Sequence, residues 1–213
     1  RGQGFRTAAQ FRNVTDGIVV PVWGALMILT VFLSPFVSMR LFAEEQKQKT
    51  FELLMTAPVR PTEIVLGKFL GGFGMMGLTI GVGIVFPLTL AAFGGEQNGA
   101  ALDWSAVLLG YGGLLAWTAA CIAVGMFISS LTESQFLAAF ITLAVLVPWW
   151  LLGDVASAAE DPLRTFLQSV AFSTHLTPML QGETDLAAVV FFPSVIVFFL
   201  FLTQRRVEAF RWA

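Results

Sequence analysis

The stretch RLFAEEQKQKTFELLMTAPVRPTEIVLGKF, residues 40–69, separates two long apolar runs and sets the organisation of the whole chain. It holds five of the twelve basic residues of the protein, namely Arg40, Lys47, Lys49, Arg60 and Lys68. The runs on either side carry almost no charge over lengths that can cross a bilayer. We therefore predict a polar helical hairpin, residues 40–68, between two membrane-spanning helices.

The composition indicates an integral membrane protein. Of the 213 residues, 56% are hydrophobic and 12% are charged, with a mean hydropathy of +0.79. Soluble domains carry about 25% charged residues. The net charge of −2 points to no nucleic-acid partner, and the single cysteine, Cys121, excludes an intrachain disulfide. We predict one all-α transmembrane domain over residues 1–213.

Five apolar runs are long enough to span the hydrocarbon core, which takes about 20 helical residues. The predicted spans are residues 17–39, 69–93, 106–131, 136–152 and 186–203. The fourth ends in Trp149 and Trp150, which are typical of an interfacial aromatic belt. Within the segment 153–185, apolar residues at helical spacing predict one short amphipathic helix from Asp161 to Leu180, with Asp161 as its N-cap, on the outer face.

Glycines recur four residues apart in the second span. Two such pairs permit close helix packing: Gly67 with Gly71, and Gly77 with Gly81.

The distribution of basic residues predicts the topology. Placing the hairpin and the C-terminus inside puts eight basic residues there and four outside. The chain is then a multi-pass protein of a bacterial-type inner (plasma) membrane with a cytoplasmic C-terminus. This topology leaves residue 1 outside, and an additional span before it would place the start of the subunit inside.

The spans contain none of the groups that ion-coupled carriers and ATP-binding proteins require. No Asp, Glu, Lys, Arg or His falls within them, which argues against a proton-driven carrier. A phosphate loop needs GxxxxGK[ST], whereas Gly67-Lys68 is followed by Phe69. A transporter of this composition would need an ATPase on another subunit. A channel that selects ions through backbone carbonyls remains an alternative.

The hairpin is predicted as helix, tight turn and helix. Good helix formers run from Phe42 to Thr56, and the residue before Pro58 avoids the helical region. Pro61 suits the first turn of the following helix. A short tip at 57–61 suits docking to a groove of a soluble protein, and an ordinary solvated loop is the alternative.

The run AEEQKQKTFELLMTAPVRPTEIVLGKF, residues 43–69, resembles the loop between the second and third helices of ABC type-2 exporter permeases. The gliding-motility-type permeases are the most similar subgroup. GMFISSLTESQ at 125–135 and FFLFLTQRRVEAFRW at 198–212 resemble the same subgroup. The resemblance covers residues 35–213 and implies six spans in the full subunit.

The resemblance implies a coupling helix at 50–61 that docks on the ATPase subunit. The implied coupling residues are Glu44, Glu45, Phe51, Glu52, Leu54, Thr56, Ala57, Pro58, Val59, Arg60 and Pro61. It also implies two ATPase subunits that hold ATP and Mg²⁺, a second permease subunit in a homo- or heterodimer, and room for an accessory extracytoplasmic protein. The permease itself would hold no cofactor or metal and perform no bond chemistry.

Two rival functions come from other classes. A membrane-embedded protease is suggested by Glu44, Glu45 and Lys49, which are similar to an EExxxR motif, but such a site needs several histidines and only His175 exists. We interpret His175 as an interfacial polar residue. The second rival is a channel-like or scaffold protein without an ATPase partner. The apolar spans are compatible with an amphipathic or lipid-linked cargo without identifying one.

Overall fold

A computed structural model of the chain describes residues 19–50, 59–93, 103–183 and 186–211. These residues form helices and no strands. The α-helices are α1 (Val20–Lys47), α2 (Pro61–Gly81), α3 (Val85–Phe93), α4 (Trp104–Ser129), α5 (Gln135–Ser157), α6 (Leu163–Val170), α7 (Phe172–Leu180) and α8 (Leu186–Arg211). A 3₁₀ turn, Val82–Ile84, joins α2 to α3.

Five helical segments are long and apolar enough to cross a membrane, which confirms the predicted all-α membrane fold. They are Val20–Lys47, Pro61–Ala92, Trp104–Ser129, Gln135–Ser157 and Leu186–Phe210. Each coincides with one predicted apolar run and extends beyond it at one end or both. The helices are longer because polar flanking residues, such as those of the hairpin, continue the helix outside the apolar core.

Helix α4 is the centre of the bundle and contacts α1, α2, α5, α7 and α8. Its small residues make this arrangement compact. A Cβ atom at Gly110 would lie 3.0 Å from the Trp23 ring, and one at Gly113 would lie 3.0 Å from Met179. Close backbone approach of this kind is how membrane helices gain packing energy where lipid offers no hydrophobic driving force.

A cluster of aromatic side chains fills the end of the bundle where α6 and α7 return to it. Phe172 is fully buried, with ring centroids 4.8 Å from Trp117 and 4.3 Å from Trp149. The Trp149 indole N–H donates to the Val170 carbonyl at 2.8 Å. Trp149 therefore packs into the bundle and holds the 153–185 segment, beyond the interfacial role predicted for it.

The predicted short amphipathic helix is present as α6, but its predicted extent from Asp161 to Leu180 is wrong, because the segment forms two helices. Ala171 is extended between α6 and α7, which lets Phe172 turn into the core. The predicted N-cap at Asp161 is also wrong. The N-cap of α6 is Pro162, and Asp161 instead accepts a hydrogen bond from the Thr165 hydroxyl at 3.2 Å.

The predicted helix Phe42–Thr56 is likewise wrong in its bounds. Helix α1 runs unbroken from the span into the hairpin and ends at Lys47. The Thr50 N–H donates to the Glu45 carbonyl at 3.1 Å and the Lys49 N–H to the Gln46 carbonyl at 3.2 Å, while Lys49 has φ of 55°. These bonds form a Schellman motif, which satisfies the last helical carbonyls and turns the chain.

Candidate functional site: the base of the α1–α2 hairpin

The hairpin is anchored where α1 leaves the apolar part of its span. The side chain of Ser129, at the end of α4, lies against the backbone of α1 over residues 39–43. Its hydroxyl donates to the Met39 carbonyl at 3.0 Å and accepts from the Ala43 N–H at 3.0 Å and the Phe42 N–H at 3.2 Å. Ser129 is fully buried.

The Ser129 hydroxyl makes these bonds at the boundary between the spanning part of α1 and its polar extension. The extension is therefore tied to α4, the central helix, rather than left as a free continuation of α1.

A second bond ties the extension to the same helix end. The Gln46 side-chain amide donates to the Ser130 carbonyl at 3.0 Å. Ser130 is the C-cap of α4, so this amide satisfies one of the carbonyl groups that a helix end leaves without an intrahelical partner.

On its other side the extension is tied to α2 by Lys68. The Lys68 ammonium donates to the Leu41 carbonyl at 2.5 Å and to Glu45 Oε1 at 2.6 Å, and it lies 4.9 Å from the centroid of the Phe42 ring. Its side chain is 17% exposed and that of Glu45 is 33% exposed. The second carboxylate oxygen of Glu45 is buried without a hydrogen-bond partner among the described residues, so Lys68 is the described side chain that compensates the carboxylate charge.

The far side of the hairpin begins as predicted, with Pro61 as the first residue of α2. Pro61 has no N–H and a fixed φ, both of which suit this position. The Glu63 carboxylate accepts from the Arg60 N–H at 3.1 Å, which satisfies a backbone donor at the start of the helix.

The structure describes five of the predicted coupling residues. Glu44 is half-buried, Glu45 is paired with Lys68, and Val59 and Arg60 are exposed beside Pro61. The remaining six lie outside the described residues: Phe51, Glu52, Leu54, Thr56, Ala57 and Pro58.

Sequence reasoning missed the residues that fasten the hairpin, namely Ser129, Ser130, Gln46 and the pairing of Lys68. The available signal was the Ser-Ser pair at the end of an apolar run and a lysine at the start of one. Neither pattern identifies its partner, because the partners are distant in the sequence.

The four glycines predicted to pack helices do not pack tightly within the described part of the chain. A Cβ at Gly67, Gly71 or Gly77 would meet no atom within 4 Å, and one at Gly81 would lie 3.7 Å from the Tyr111 hydroxyl. Gly72 is the tightly packed glycine of α2, where a Cβ would lie 3.1 Å from Leu41. Close helix packing through these four glycines stays a prediction.

The residues suggested for a membrane-embedded protease have local structural contacts. His175 stacks on Phe191 with ring centroids 4.3 Å apart, and its Nε2 lies 3.1 Å from the Ser169 carbonyl. Glu45 is paired with Lys68. Within the described ranges no three His, Cys, Asp or Glu side chains are grouped so that they could hold a metal ion.

The fold and this site define a multi-pass helical membrane protein whose polar hairpin is anchored to its central helix. The family comparison agrees, because the model of the ABC-2 family transporter protein matches residues 6–164. The chain belongs to the ABC-2 transporter family and is a membrane (permease) subunit of an ABC transporter. Comparisons with curated proteins and with solved structures gave no match.

Proposed function

We propose that the chain is the permease subunit of an ATP-driven exporter, moved by a separate ATPase subunit that docks on the hairpin 40–68. The observation that carries this proposal is the anchorage of the hairpin base to two different spans. Ser129 and Gln46 tie it to α4, and Lys68 ties it to α2.

This anchorage suits the transmission of force. A loop joined to the bundle only through its two ends would absorb the displacement of a docked partner by bending. Here a displacement of the α1 extension also moves the end of α4, which is packed against α1, α2, α5, α7 and α8. Packed helices shift as units, so a partner that closes on ATP can tilt the spans and alternate access across the bilayer.

The proposed assembly contains two ATPase subunits, which supply ATP and Mg²⁺, and a second permease subunit. The ABC-2 family in general works as a dimer of membrane subunits with an ABC ATPase. The proposed location is a bacterial-type inner membrane with the hairpin and the C-terminus in the cytoplasm. Basic residues at both ends of the hairpin support this orientation.

Affinity purification of the intact chain in mild detergent tests the proposal. We expect recovery of a soluble subunit with a phosphate-loop sequence, and its loss from the double variant Pro58→Asp/Val59→Asp. The matched control is Ala158→Asp, at an exposed position between α5 and α6. Retention of the ATPase by the double variant would place docking elsewhere. Recovery of the chain alone at several detergent strengths would favour a channel or scaffold.

A further inference from the structure

An open groove of about 610 Å³ lies between α1 and α2. Its walls come from both helices, with Leu33, Phe36 and Val37 on α1, and Gly71, Met75 and Thr79 on α2. Phe36 is 60% exposed and Met75 is 63% exposed. The groove is open because Gly71 carries no side chain and no other atom approaches the space that a Cβ would take.

The groove has one cationic end. Arg40 and Lys68 line it where α1 and α2 reach their polar ends. Lys68 is already neutralised by Glu45. Arg40 is exposed, and no carboxylate of the described residues forms an ion pair with it. Among the charged residues that line the groove, Arg40 is therefore the one without an ion pair to a described carboxylate.

The length of the groove matches one leaflet. Lys68 and Thr79 are eleven residues apart on one continuous helix, which corresponds to about 16 Å at 1.5 Å per residue. The hydrocarbon core is about 30 Å thick, so the groove reaches from its edge to about its middle. An unfilled groove in this region would lose dispersion contacts along both walls, so an apolar group is expected to fill it.

We propose that the groove binds a resident anionic phospholipid of the leaflet on the Arg40 side. One acyl chain lies between Phe36 and Met75 and fills the open space beside Gly71. The headgroup phosphate accepts charge-assisted hydrogen bonds from the Arg40 guanidinium. This inference does not depend on the ATPase partner or on the direction of transport.

A second copy of the chain fits the groove less well. A two-fold contact through this surface, with its axis along the membrane normal, would bring the Arg40 side chains of both copies to the same depth. Like charges there are unfavourable, whereas a phosphate compensates the charge.

Photo-crosslinking tests the proposal on the full chain reconstituted into bilayer discs. The probe is phosphatidylglycerol with a diazirine in one acyl chain, compared with phosphatidylcholine carrying the same chains. We expect crosslinks to peptides that contain Phe36 and Met75. We also expect phosphatidylglycerol to label them about fivefold more efficiently, as one basic residue at the surface favours an anionic lipid by about that factor.

Two variants test recognition of the headgroup and binding of the acyl chain separately, each with a matched control. Arg40→Gln should remove the preference for phosphatidylglycerol, whereas Lys47→Gln, at an exposed cation outside the groove, should keep it. Gly71→Leu should reduce labelling by both lipids about fivefold or more, whereas Gly74→Leu, on the same helix and equally unobstructed, should not. Size-exclusion profiles check that each variant is folded.

Three results would overturn the proposal. Unchanged preference in Arg40→Gln would show that the headgroup is not recognised there. Displacement of the lipid by excess inorganic phosphate would show a soluble-anion site instead. A loss of dimer in Gly71→Leu with lipid labelling unchanged would make a second copy the occupant.

Discussion

The hydroxyl of Ser129 lies 3.0 Å from the backbone nitrogen of Ala43, although the two residues are 86 positions apart in the chain. The same hydroxyl donates to the Met39 carbonyl at 3.0 Å. One buried side chain thus joins the end of the central helix to the base of the hairpin. Through the bonds of this side chain to Met39, Phe42 and Ala43, a displacement of the hairpin base reaches α4.

Replacing Ser129 by alanine should destabilise the protein and weaken coupling. The substitution removes the bonds of a buried hydroxyl to the backbone of α1, and a typical intramolecular hydrogen bond contributes about 0.5–1.5 kcal/mol net. We expect a loss of this size in the free energy of unfolding in detergent, together with lower ATPase-driven transport. The control is Ser130→Ala, which removes only a local bond to the Phe127 carbonyl. Equal losses in both variants would contradict the anchoring role.

The ion pair between Lys68 and Glu45 should show measurable coupling. Single changes Lys68→Met and Glu45→Gln and the double change form a thermodynamic cycle. Because both side chains are partly shielded and 2.6 Å apart, we expect a coupling energy near the upper end of the surface range, about 1 kcal/mol. The same cycle at Arg205 and Glu208, where the arginine is 63% exposed, should give a smaller coupling energy. A coupling energy indistinguishable from zero would mean that the ion pair with Glu45 does not help to fix the hairpin.

Trp149→Phe should loosen the segment between α5 and α8. The change keeps most of the aromatic packing on Phe172 but removes the indole N–H that holds the Val170 carbonyl. We expect about 1 kcal/mol lower stability and faster proteolysis within residues 158–183. Trp150→Phe is the matched control, because the Trp150 indole N–H makes no hydrogen bond within the described part of the chain. Equal proteolysis rates in the two variants would argue against this anchor.

Asp103 should contribute a pH-dependent part of the stability. It is the N-cap of α4, and hydrogen bonds from the Ser105 side chain and then the Ala106 backbone hold the pKa of its carboxyl below the usual 3.8. A depressed pKa stabilises the folded state above about pH 4, and that stabilisation is lost as the pH falls through the lower, folded-state value.

Thermal unfolding of Asp103→Asn checks this prediction, because asparagine is also a good N-cap but does not titrate. Below pH 4 the melting temperature of the native protein should fall further than that of the variant. Parallel pH profiles would show that another group causes the acid sensitivity.

The predicted topology can be tested by labelling from one side of the membrane. Cys121 is fully buried, so the native cysteine can remain in place. We expect a membrane-impermeant thiol reagent added to intact cells to label Asp154→Cys and to miss Lys49→Cys, both of which are at exposed positions. Permeabilised cells should label both. Labelling of Lys49→Cys in intact cells would reverse the orientation and place the hairpin outside.

The spans and the family could be predicted from local patterns, whereas the hairpin and the segment 153–185 could be predicted only in part. The start of α2 at Pro61 was predicted correctly because proline at the first helical position is a local signal. The end of α1 at Lys47 was missed because the residue with the left-handed φ of 55° is Lys49, whereas the usual signal for this turn is a glycine. The break at Ala171 was missed because burial of Phe172, a tertiary effect, decides it.

The sequence by itself determined that the chain crosses the membrane, where it does so and where its polar hairpin lies. Transfer of an apolar helix into lipid depends on about 20 consecutive residues, so a single stretch of sequence is enough to predict it. Only the tertiary structure decided which spans fasten the hairpin and that α1 and α2 leave a groove with Arg40 at its end. These contacts join residues 23 to 86 positions apart, and hydrophobic patterning does not specify which distant side chains will meet.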